Sequence, residues 1–247
     1  MILEDQIILI TGGCGDIGST LVEKFYELAK KVIVIDKNKD GLATLKNSFN
    51  GIECHFCDVT DYDLVGKTIS KIYKSFNVSV LINNAGWVYS APFINLLNKE
   101  NIKHDPKIFQ KVIDVNLSSV FNVSSFVSEK MIEKRSGGLI INVSSMSGNG
   151  TLSQTAYAAA KAGVKAMTAV WAKELNPFKI RTAAIAPGIV ESNATDILSE
   201  SYKKYWKKQI PLSRFCKPEE IFLCMKFLIE NDYYNGKTLP IDGGAVV

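Results

Sequence analysis

Tyr157 and Lys161 have the spacing of a proton-transfer pair. They stand four residues apart in Tyr-Ala-Ala-Ala-Lys, and residues at positions i and i+4 of a helix share one face. Residues 156–175 are rich in helix formers and contain no proline. A tyrosine pKa of about 10 is too high for acid–base work near neutrality, but a fixed cation nearby lowers it. The pair therefore suits passing a proton to or from an alcohol oxygen, although ordinary amphipathic helices also carry this spacing.

Apolar, β-branched runs alternate with helical patterns along the whole chain. The predicted strands cover residues 7–10, 32–35, 52–56, 80–82, 139–143, 181–185 and 238–241. The predicted helices cover residues 17–30, 42–50, 61–76, 106–134, 156–175 and 219–230. Several strands are apolar at consecutive positions, as strands covered on both faces must be. The pattern predicts a single α/β domain over residues 1–247, with a doubly wound parallel sheet of seven strands and helices on both faces.

Two long connections interrupt this alternation. Residues 87–105 follow the fourth predicted strand, and residues 189–216 follow the sixth. Ligands bind at the carboxyl ends of strands in open α/β sheets, and connections of this length often close over a ligand. We therefore expect a substrate lid around residues 189–216.

The composition is that of an ordinary globular protein. The 247 residues are 47% hydrophobic and 22% charged, which suits one well-buried core. A net charge of +4 that is dispersed along the chain does not predict a nucleic-acid partner. No apolar run approaches the roughly 20 residues of a membrane span, and the acidic N-terminal segment is unlike a signal peptide. We expect a cytoplasmic protein without a membrane or nucleic-acid partner.

The cysteines and histidines do not predict a metal site. Cys54 and Cys57 form a Cys-x-x-Cys pair, but they lie in a predicted strand, where positions three apart face opposite sides. The chain has two histidines and no second cysteine pair at ligand spacing. We expect no bound metal, and free thiols of the kind found in a reducing compartment.

A glycine-rich turn follows the first predicted strand. Residues 11–18 read Thr-Gly-Gly-Cys-Gly-Asp-Ile-Gly and lead into a helix. Glycines allow a tight turn and close backbone approach to a pyrophosphate at the helix N-terminus. Asp36 ends the second strand, where a carboxylate would bind ribose hydroxyls and repel a 2′-phosphate. The sequence thus predicts a dinucleotide site that favours NAD, while Lys37 leaves NADP open.

With several later motifs, this chain resembles the short-chain dehydrogenase/reductase family from Ile7 to Gly244. The resemblance implies a Rossmann-like fold and NAD- or NADP-dependent hydride transfer between a nicotinamide and a carbonyl or secondary alcohol. The motifs are the glycine turn, Asp58-Val59, Asn83-Asn84-Ala85-Gly86, Asn116, Ser144-Ser145, Tyr157-x-x-x-Lys161, Pro187-Gly188, IPLSRFCKPEEI and Ile241-Asp242-Gly243-Gly244.

The resemblance also implies residue roles. Tyr157 would exchange the proton, Lys161 would lower its pKa and hold the nicotinamide ribose, and Ser145 would hydrogen-bond the substrate oxygen. Asn116 would order a water that links Lys161 to solvent. The residues implied for dinucleotide binding are Gly12, Gly15, Asp16, Ile17, Gly18, Asp36, Asp58, Val59, Asn84, Ala85, Gly86, Tyr157, Lys161, Pro187, Gly188 and Ile189.

Three departures from the family pattern stand out. Asp16 occupies the place of the middle glycine, so the turn instead matches, through Gly15, a spacing typical of the family's longer, sugar-nucleotide-acting branch. Ala183 replaces an asparagine common in the family. The family serine corresponds to Ser144 by distance from the tyrosine, but to Ser145 by strand register. Because adjacent strand residues face opposite sides, only one can face the substrate, and we expect Ser145.

The predicted substrate is a β-oxo or β-hydroxy acyl thioester. Residues 89–105 and the segment after Ile229 look like β-hydroxyacyl-CoA dehydrogenases of this family, and PLSRFCKPEEI looks like β-ketoacyl carrier-protein reductases. A reductase of a sugar or another small alcohol is the alternative, and a non-catalytic dinucleotide-binding scaffold is a further one. The basic-aromatic stretch at 202–208 is a possible contact for a phosphate-bearing carrier or an ordinary solvated helix face.

Self-association is expected from the helix that carries Tyr157. Its small and apolar residues occur around most of the helix circumference, so one side can pack on the sheet while another needs cover. Small residues also allow close helix approach. We predict a symmetric homodimer or homotetramer that buries this helix, as the resemblance also implies.

Overall fold

A parallel sheet runs through the centre of the molecule. The computed structural model describes residues 1–100 and 102–245. Asn101, in the predicted 87–105 connection, and Val246 and Val247, at the end of the predicted domain, lie outside the described residues. Within the described residues the strands are β1 (Ile7–Thr11), β2 (Lys31–Asp36), β3 (Glu53–Phe56), β4 (Val80–Asn83), β5 (Gly138–Val143), β6 (Ile180–Pro187) and β7 (Thr238–Ile241).

The sheet has the topology predicted from the sequence. Over the described part of the chain, its order is β3-β2-β1-β4-β5-β6-β7, and all neighbouring strands are parallel. The chain leaves β1 toward β2 and β3 on one side, then returns through β4 toward β7 on the other. The order therefore reverses between β1 and β4, and this reversal opens a crevice at the carboxyl ends of those strands.

Helices connect the strands and cover both faces of the sheet. They are α1 (Asp16–Leu28), α2 (Lys39–Ser48), α3 (Tyr62–Ile72), α4 (Pro106–Ile113), α5 (Ser119–Glu133), α6 (Thr155–Glu174), α7 (Asn193–Asp196), α8 (Glu200–Gln209) and α9 (Pro218–Glu230). Helices α1, α2 and α9 cover one face, while α3, α5 and α6 cover the other. In β1, Ile8 and Ile10 enter the first core and Leu9 enters the second. This alternation explains the consecutive apolar strand residues.

Three helical features differ from the sequence prediction. Helix α7 lies in the predicted lid and was not predicted. Helix α8 (ESYKKYWKKQ) forms where a solvated helix face was one of the two readings of residues 202–208, but none of its residues is buried, and its Tyr202 and Tyr205 are exposed. The predicted helix over 106–134 is present, but a π-helical turn, Asp114–Ser118, separates α4 from α5.

Cys54 and Cys57 point into opposite cores, as the sequence predicted. Cys54 packs in the core beneath α2, and Cys57 packs in the core beneath α3. All five cysteines of the chain are free thiols. Among residues 1–100 and 102–245, no helix combines the length and apolarity that crossing a membrane requires.

Candidate active site

Tyr157 and Lys161 project from one face of α6 into the carboxyl edge of the sheet. Both are buried, with 9% of Tyr157 and 2% of Lys161 exposed. The Lys161 Nζ atom lies 5.6 Å from the centre of the Tyr157 ring. It donates a hydrogen bond of 2.8 Å to the carbonyl oxygen of Val143, the last residue of β5. The sheet therefore fixes the position of the ammonium beside the phenol.

Burial controls the protonation of this pair. It raises the pKa of Tyr157 to about 12, which outweighs the lowering effect of a hydrogen bond with the Ser145 side chain. It also lowers the pKa of Lys161 to about 8, because the enclosed ammonium loses its hydration. The lowered tyrosine pKa expected from the sequence is not found in the chain alone. Near neutral pH the site instead holds a protonated phenol, which is a proton donor.

The two serines that follow β5 point in different directions. Ser144 Oγ donates to the backbone carbonyl of Lys161 at 2.8 Å, so it attaches the end of the strand to α6. Ser145 hydrogen-bonds the Tyr157 side chain, and its Oγ accepts from the Ser147 amide at 3.1 Å. Ser145 therefore shares the space in front of the phenol, whereas Ser144 faces away from it.

Asn116 holds the start of the 87–105 connection. It lies fully buried in the π-helical turn. Its Nδ2 donates to the carbonyls of Trp87 and Val112, both at 2.9 Å, and its Oδ1 accepts from the Trp87 amide at 3.0 Å. The wider turn of a π-helix often marks a functional position. Here it presents the Asn116 amide to the backbone next to Lys161, because a Cβ at Gly86 would lie 3.0 Å from Asn116 Oδ1 and 3.6 Å from Lys161 Nζ.

The glycine turn packs closely where the crevice opens. Gly12 has a φ of +67°, and a Cβ there would come within 2.7 Å of the Ala85 backbone. A Cβ at Gly18 would collide with the Gly12 carbonyl. At Gly15, by contrast, the nearest atom to an added Cβ is 3.6 Å away, an ordinary contact. The turn therefore requires Gly12 and Gly18 but not Gly15, so the glycine spacing that resembled the longer branch is not imposed by packing.

The N-terminus of α1 opens directly from this turn. Gly15 is the N-cap residue, and Asp16 and Ile17 begin the helix. Unpaired amides and the helix dipole make such an end attractive to an anion. The Asp16 carboxylate does not turn back over these amides to cap them, because its Oδ1 accepts a 2.7 Å hydrogen bond from Asn193 Nδ2, the first residue of α7.

Asp36 stands at the end of β2 beside the glycine turn. Its Oδ2 accepts from the Cys14 amide and its Oδ1 from the Asn38 amide, both at 2.9 Å. Each carboxylate oxygen keeps a further lone pair for an outside donor. Burial, together with the charge of Asp36, raises the pKa of the Cys14 thiol to about 12. The thiol beside this carboxylate is therefore not a nucleophile near neutral pH.

Asp58 and Val59 follow β3 and form a further wall of the crevice. Burial would raise the pKa of Asp58, but hydrogen bonds from the Thr60 amide and hydroxyl hold it below its ordinary value. The Val59 carbonyl accepts from Asn122 Nδ2 at 3.2 Å, which ties this wall to α5.

The segment after β4 closes the floor of the crevice. Asn84 Nδ2 donates to the carbonyls of Thr11 and Gly12 at 3.2 and 2.9 Å. The Thr11 hydroxyl accepts from the amides of Asn84 and Ala85, both at 3.1 Å. These bonds hold the ends of β1 and β4 at a fixed separation.

Pro187, Gly188 and Ile189 lead from β6 into the predicted lid. The Gly188 amide donates to the Ile241 carbonyl at 2.8 Å, and a Cβ at Gly188 would lie 2.9 Å from the Asp242 backbone. The Ile189 carbonyl accepts from the Cys216 amide at 2.9 Å. The segment 189–216 is thus closed at its base by backbone pairing.

An aromatic cluster in front of Tyr157 was not predicted. Tyr157, Val112 and Ala156 are its buried members, and Trp87, Tyr89 and Ile108 pack against them. The His104 ring meets Tyr89 edge-on at 5.9 Å. Lys111 Nζ lies 5.0 Å from the centre of the Trp87 ring. Trp87 and Tyr89, which come just after Asn84-Ala85-Gly86, were the available signal, but only the fold shows that they meet Tyr157.

A chain of buried polar side chains beneath the site was also missed. Asn83 Nδ2 donates to Ser124 Oγ and Asn142 Oδ1, both at 2.8 Å, and Asn142 Nδ2 donates to Thr168 Oγ1 at 2.9 Å. Thr182 Oγ1 donates to the Thr168 carbonyl at 2.7 Å. The chain ties β4, β5 and β6 to α6 and so fixes the register of Tyr157 over the sheet. Asparagines at the same level of adjacent strands were its sequence signal.

Comparisons with known proteins bear on this arrangement. The family model described as short chain dehydrogenase matches residues 6–203. A 3-oxoacyl-(acyl-carrier-protein) reductase of Thermotoga maritima is 37% identical over 255 aligned positions, which cover 100% of both chains. A 3α-hydroxysteroid dehydrogenase of Mediterraneibacter gnavus is 32% identical and covers 99% of this chain and 98% of its own.

A solved structure gives the same result for the fold. The crystal structure of a 3-hydroxyacyl-CoA dehydrogenase type-2 from Mycobacterium avium superimposes with a TM-score of 0.88 at 25% identity. The match covers 99% of this chain and 97% of that one. The similarity therefore includes both long connections as well as the sheet.

Proposed function

This chain belongs to the short chain dehydrogenase family, and from that premise we propose that it is a nicotinamide-dependent reductase of β-oxo acyl thioesters. The observation that carries the proposal is the arrangement around the buried Tyr157 phenol at the edge of the crevice, with the Ser145 side chain hydrogen-bonded to it and the Lys161 ammonium 5.6 Å from its ring. Relatives that match over their full length are named as reductases of 3-oxoacyl groups.

The crevice has the features that a dinucleotide needs. The pyrophosphate would lie against the backbone of Gly12–Gly18, a turn whose own close packing leaves no room for a Cβ at Gly12 or Gly18, and at the N-terminus of α1. The remaining predicted contacts, from Asp36 through Asp58, Val59 and Asn84–Gly86 to Pro187–Ile189, line the carboxyl ends of β1 to β6. When bound there, the nicotinamide would supply the hydride.

The chain's own residues would handle the proton. As the substrate carbonyl becomes an alkoxide, Tyr157 donates its phenolic proton to that oxygen, and Ser145 donates a hydrogen bond to the same oxygen. Lys161, whose pKa is lowered to about 8 by burial, stabilises the phenolate that remains. Asn116 and Gly86 keep the backbone beside Lys161 in place, and a water in that space would return the proton from solvent.

We assign NAD rather than NADP as the preferred cofactor. The Asp36 carboxylate faces the position expected for the adenosine ribose, where it would accept hydroxyl hydrogen bonds and repel a 2′-phosphate. Lys37 is exposed next to it, so NADP binding would be weaker rather than absent.

The apolar rim of the site supports an acyl substrate. Exposed apolar side chains lie on the three segments that follow the carboxyl ends of β4, β5 and β6. They are Phe93 (68% exposed), Leu96 (78%), Leu97 (93%), Leu152 (92%) and Ile197 (86%). An acyl chain that reaches these side chains would remove apolar surface from water. We also propose that residues 189–216 act as the substrate lid.

Turnover tests the proposed function directly. Purified protein is mixed with NADH or NADPH and with acetoacetyl and longer 3-oxoacyl thioesters of N-acetylcysteamine, and the loss of reduced nicotinamide is followed. We expect turnover of the thioesters with NADH ahead of NADPH. Absence of turnover with every thioester, together with turnover of sugars or small ketones in the same assay, would contradict the proposed substrate class.

One observation supports the alternative substrate, a sugar or another small alcohol. Buried polar atoms of His104, Thr151 and Gln154 have no hydrogen-bond partner among residues 1–100 and 102–245. Hydroxyl groups could satisfy such atoms, whereas an acyl chain could not. The same panel of substrates separates the two possibilities.

We further propose that the protein forms a homodimer or homotetramer in the cytoplasm. Exposed apolar residues on adjacent helices, Phe121 on α5 (50% exposed) and Val170 on α6 (48%), support a second copy covering this side. Sedimentation of a stable monomer would contradict this assembly.

A further inference from the structure

Asp16 is an acidic residue at a place where a negatively charged ligand is expected. It is the first residue of α1 and directly follows the N-cap Gly15. A carboxylate here gains from the helix dipole but competes with any other anion for the same amides. The position of its side chain therefore bears on the dinucleotide that the proposed function requires.

The carboxylate is held by the other side of the crevice. Asn193 Nδ2 donates a hydrogen bond of 2.7 Å to Asp16 Oδ1, across 177 residues of sequence. Asn193 is itself fixed, because it begins α7, whose N-cap Ser192 forms a capping box with Thr195. The bond joins the predicted lid to the glycine turn at the mouth of the proposed dinucleotide site.

The end of this segment packs on the turn after β7, where Ile210 is buried and the Leu212 amide donates to the Gly243 carbonyl. Helix α8 has no buried residue, and its contacts include local ones such as the ion pair between Lys203 and Glu200. The base of the segment is paired through Ile189 and Cys216. Between that paired base and α8, the Asp16–Asn193 hydrogen bond connects residues 189–216 directly to the glycine turn on the opposite side of the crevice.

We propose that the Asp16–Asn193 hydrogen bond is a latch that holds residues 189–216 closed over the bound dinucleotide. With the latch closed, Asn193 keeps the Asp16 carboxylate off the amides of α1, so these remain free for the pyrophosphate. With the latch open, the carboxylate loses its partner and stands beside the anion site as a competitor. Closure and dinucleotide retention are thereby coupled through two positioning residues. This inference rests on the proposed dinucleotide site.

The two residues can be distinguished by substitution. Asn193→Ala opens the latch and leaves the carboxylate in place, so we expect dinucleotide release about three- to tenfold faster, the range for loss of one ordinary hydrogen bond, and an even larger rise in Kd. Asp16→Ala opens the latch but also removes the competitor, so release is faster while Kd rises less than in Asn193→Ala. Stopped-flow fluorescence of NADH measures both quantities.

Exchanging the two side chains tests the hydrogen bond itself, because both groups stay present and only their positions are reversed. Asn193→Asp alone places two carboxylates together and is expected to release NADH fastest. The double variant Asp16→Asn/Asn193→Asp reverses donor and acceptor and should return release to within about twofold of the original protein. Glu200→Ala is the matched control, because it breaks an exposed ion pair within the same segment, whose contribution is small.

Hydrogen exchange of the protein without nucleotide gives a readout that does not depend on dinucleotide binding. We expect amides of α7 and α8 to exchange about three- to tenfold faster in Asn193→Ala and at the original rate in the double exchange. Unchanged exchange in Asn193→Ala, or no recovery in the double variant, would overturn the latch. If exchange behaves as expected but the original protein binds neither NADH nor NADPH, the proposed function fails while the contact between the two walls stands.

Discussion

The two sides of the candidate site are built in different ways. The dinucleotide side consists of strand ends that are held together by close packing and hydrogen bonds, such as those that the Asn84 side chain donates to the carbonyls of Thr11 and Gly12. The substrate side consists of two long connections that leave apolar side chains in solvent, among them Leu96 and Leu97. One side is fixed by the sheet, whereas the other is largely independent of it.

This contrast shows where tolerance to sequence change is expected. A cradle made of backbone atoms depends on the absence of side chains, so a single added methyl group disrupts it. A rim made of exposed side chains binds a ligand in proportion to the apolar surface that becomes buried, so each residue contributes a small share of the binding free energy. Tyr157 and Lys161 lie where the two sides meet; Lys161 bonds the Val143 carbonyl at the end of β5, and Tyr157 bonds the side chain of Ser145 just after it.

The largest effect is expected at that meeting point. Tyr157→Phe removes the proton donor and keeps the ring, so we expect kcat for thioester reduction to fall about a thousandfold, with NADH binding within about twofold of the original. The control is Tyr73→Phe, since the buried Tyr73 hydroxyl donates to the Val78 carbonyl far from the site. That variant should lose some stability and retain kcat. Full activity of Tyr157→Phe would falsify the catalytic assignment.

The buried ammonium of Lys161 should make the free energy of unfolding depend on pH in a distinctive way. Burial lowers its pKa from 10.5 to about 8 in the folded protein, so between these values the unfolded chain binds more protons than the folded one. The free energy of unfolding therefore rises with pH across this window by about 3 kcal/mol, and below pH 8 the desolvation cost of the folded ammonium is present in full.

Lys161→Met removes this dependence. Relative to the Met variant, the original protein should gain about 3 kcal/mol between pH 8 and pH 10.5 and show a constant difference below pH 8. Urea denaturation at several pH values measures the difference. Lys67→Met, at an exposed position on α3, should show no such trend. A flat difference for Lys161→Met would mean that the ammonium is hydrated in the folded protein.

The glycine turn gives the next effect and a closely matched control. Gly18→Ala forces a Cβ against the Gly12 carbonyl, whereas the Cβ of Gly15→Ala has ordinary room. We expect Gly18→Ala to raise the Kd for NADH about a hundredfold, because the turn must shift away from the pyrophosphate position. Gly15→Ala leaves the packing of the turn intact, so its rise in Kd should be smaller and reflect only the contact of the added methyl group with the pyrophosphate. Equal effects in both variants would show that dinucleotide binding does not depend on this packing.

The same contrast explains which features the sequence could predict. Strand alternation is a local rule, and it required that only one of Ser144 and Ser145 face the tyrosine; the strand register of the family motif then selected Ser145, whose side chain hydrogen-bonds Tyr157. The raised pKa of Tyr157 depends on how deeply α6 is buried, which the spacing of Tyr157 and Lys161 does not contain. The Asp16–Asn193 bond joins residues 177 positions apart, and α7 is too short and polar to leave a periodic pattern.

The smallest effect is expected at the apolar rim. A substitution there should change how the length of the acyl chain is recognised without changing the rate of the chemical step. Leu96→Ser/Leu97→Ser changes side chains that are 78% and 93% exposed, so stability should change by less than about 0.5 kcal/mol. We expect KM for a long 3-oxoacyl thioester to rise about threefold, as the loss of roughly one methylene contact predicts, while KM for the acetoacetyl thioester and both kcat values stay the same. Leu223→Ser on α9, at an equally apolar position remote from the site, is the control and should change neither KM. An equal rise for short and long substrates would place the two leucines near the reacting carbonyl rather than along the acyl chain, and no change for either would remove the rim from substrate binding.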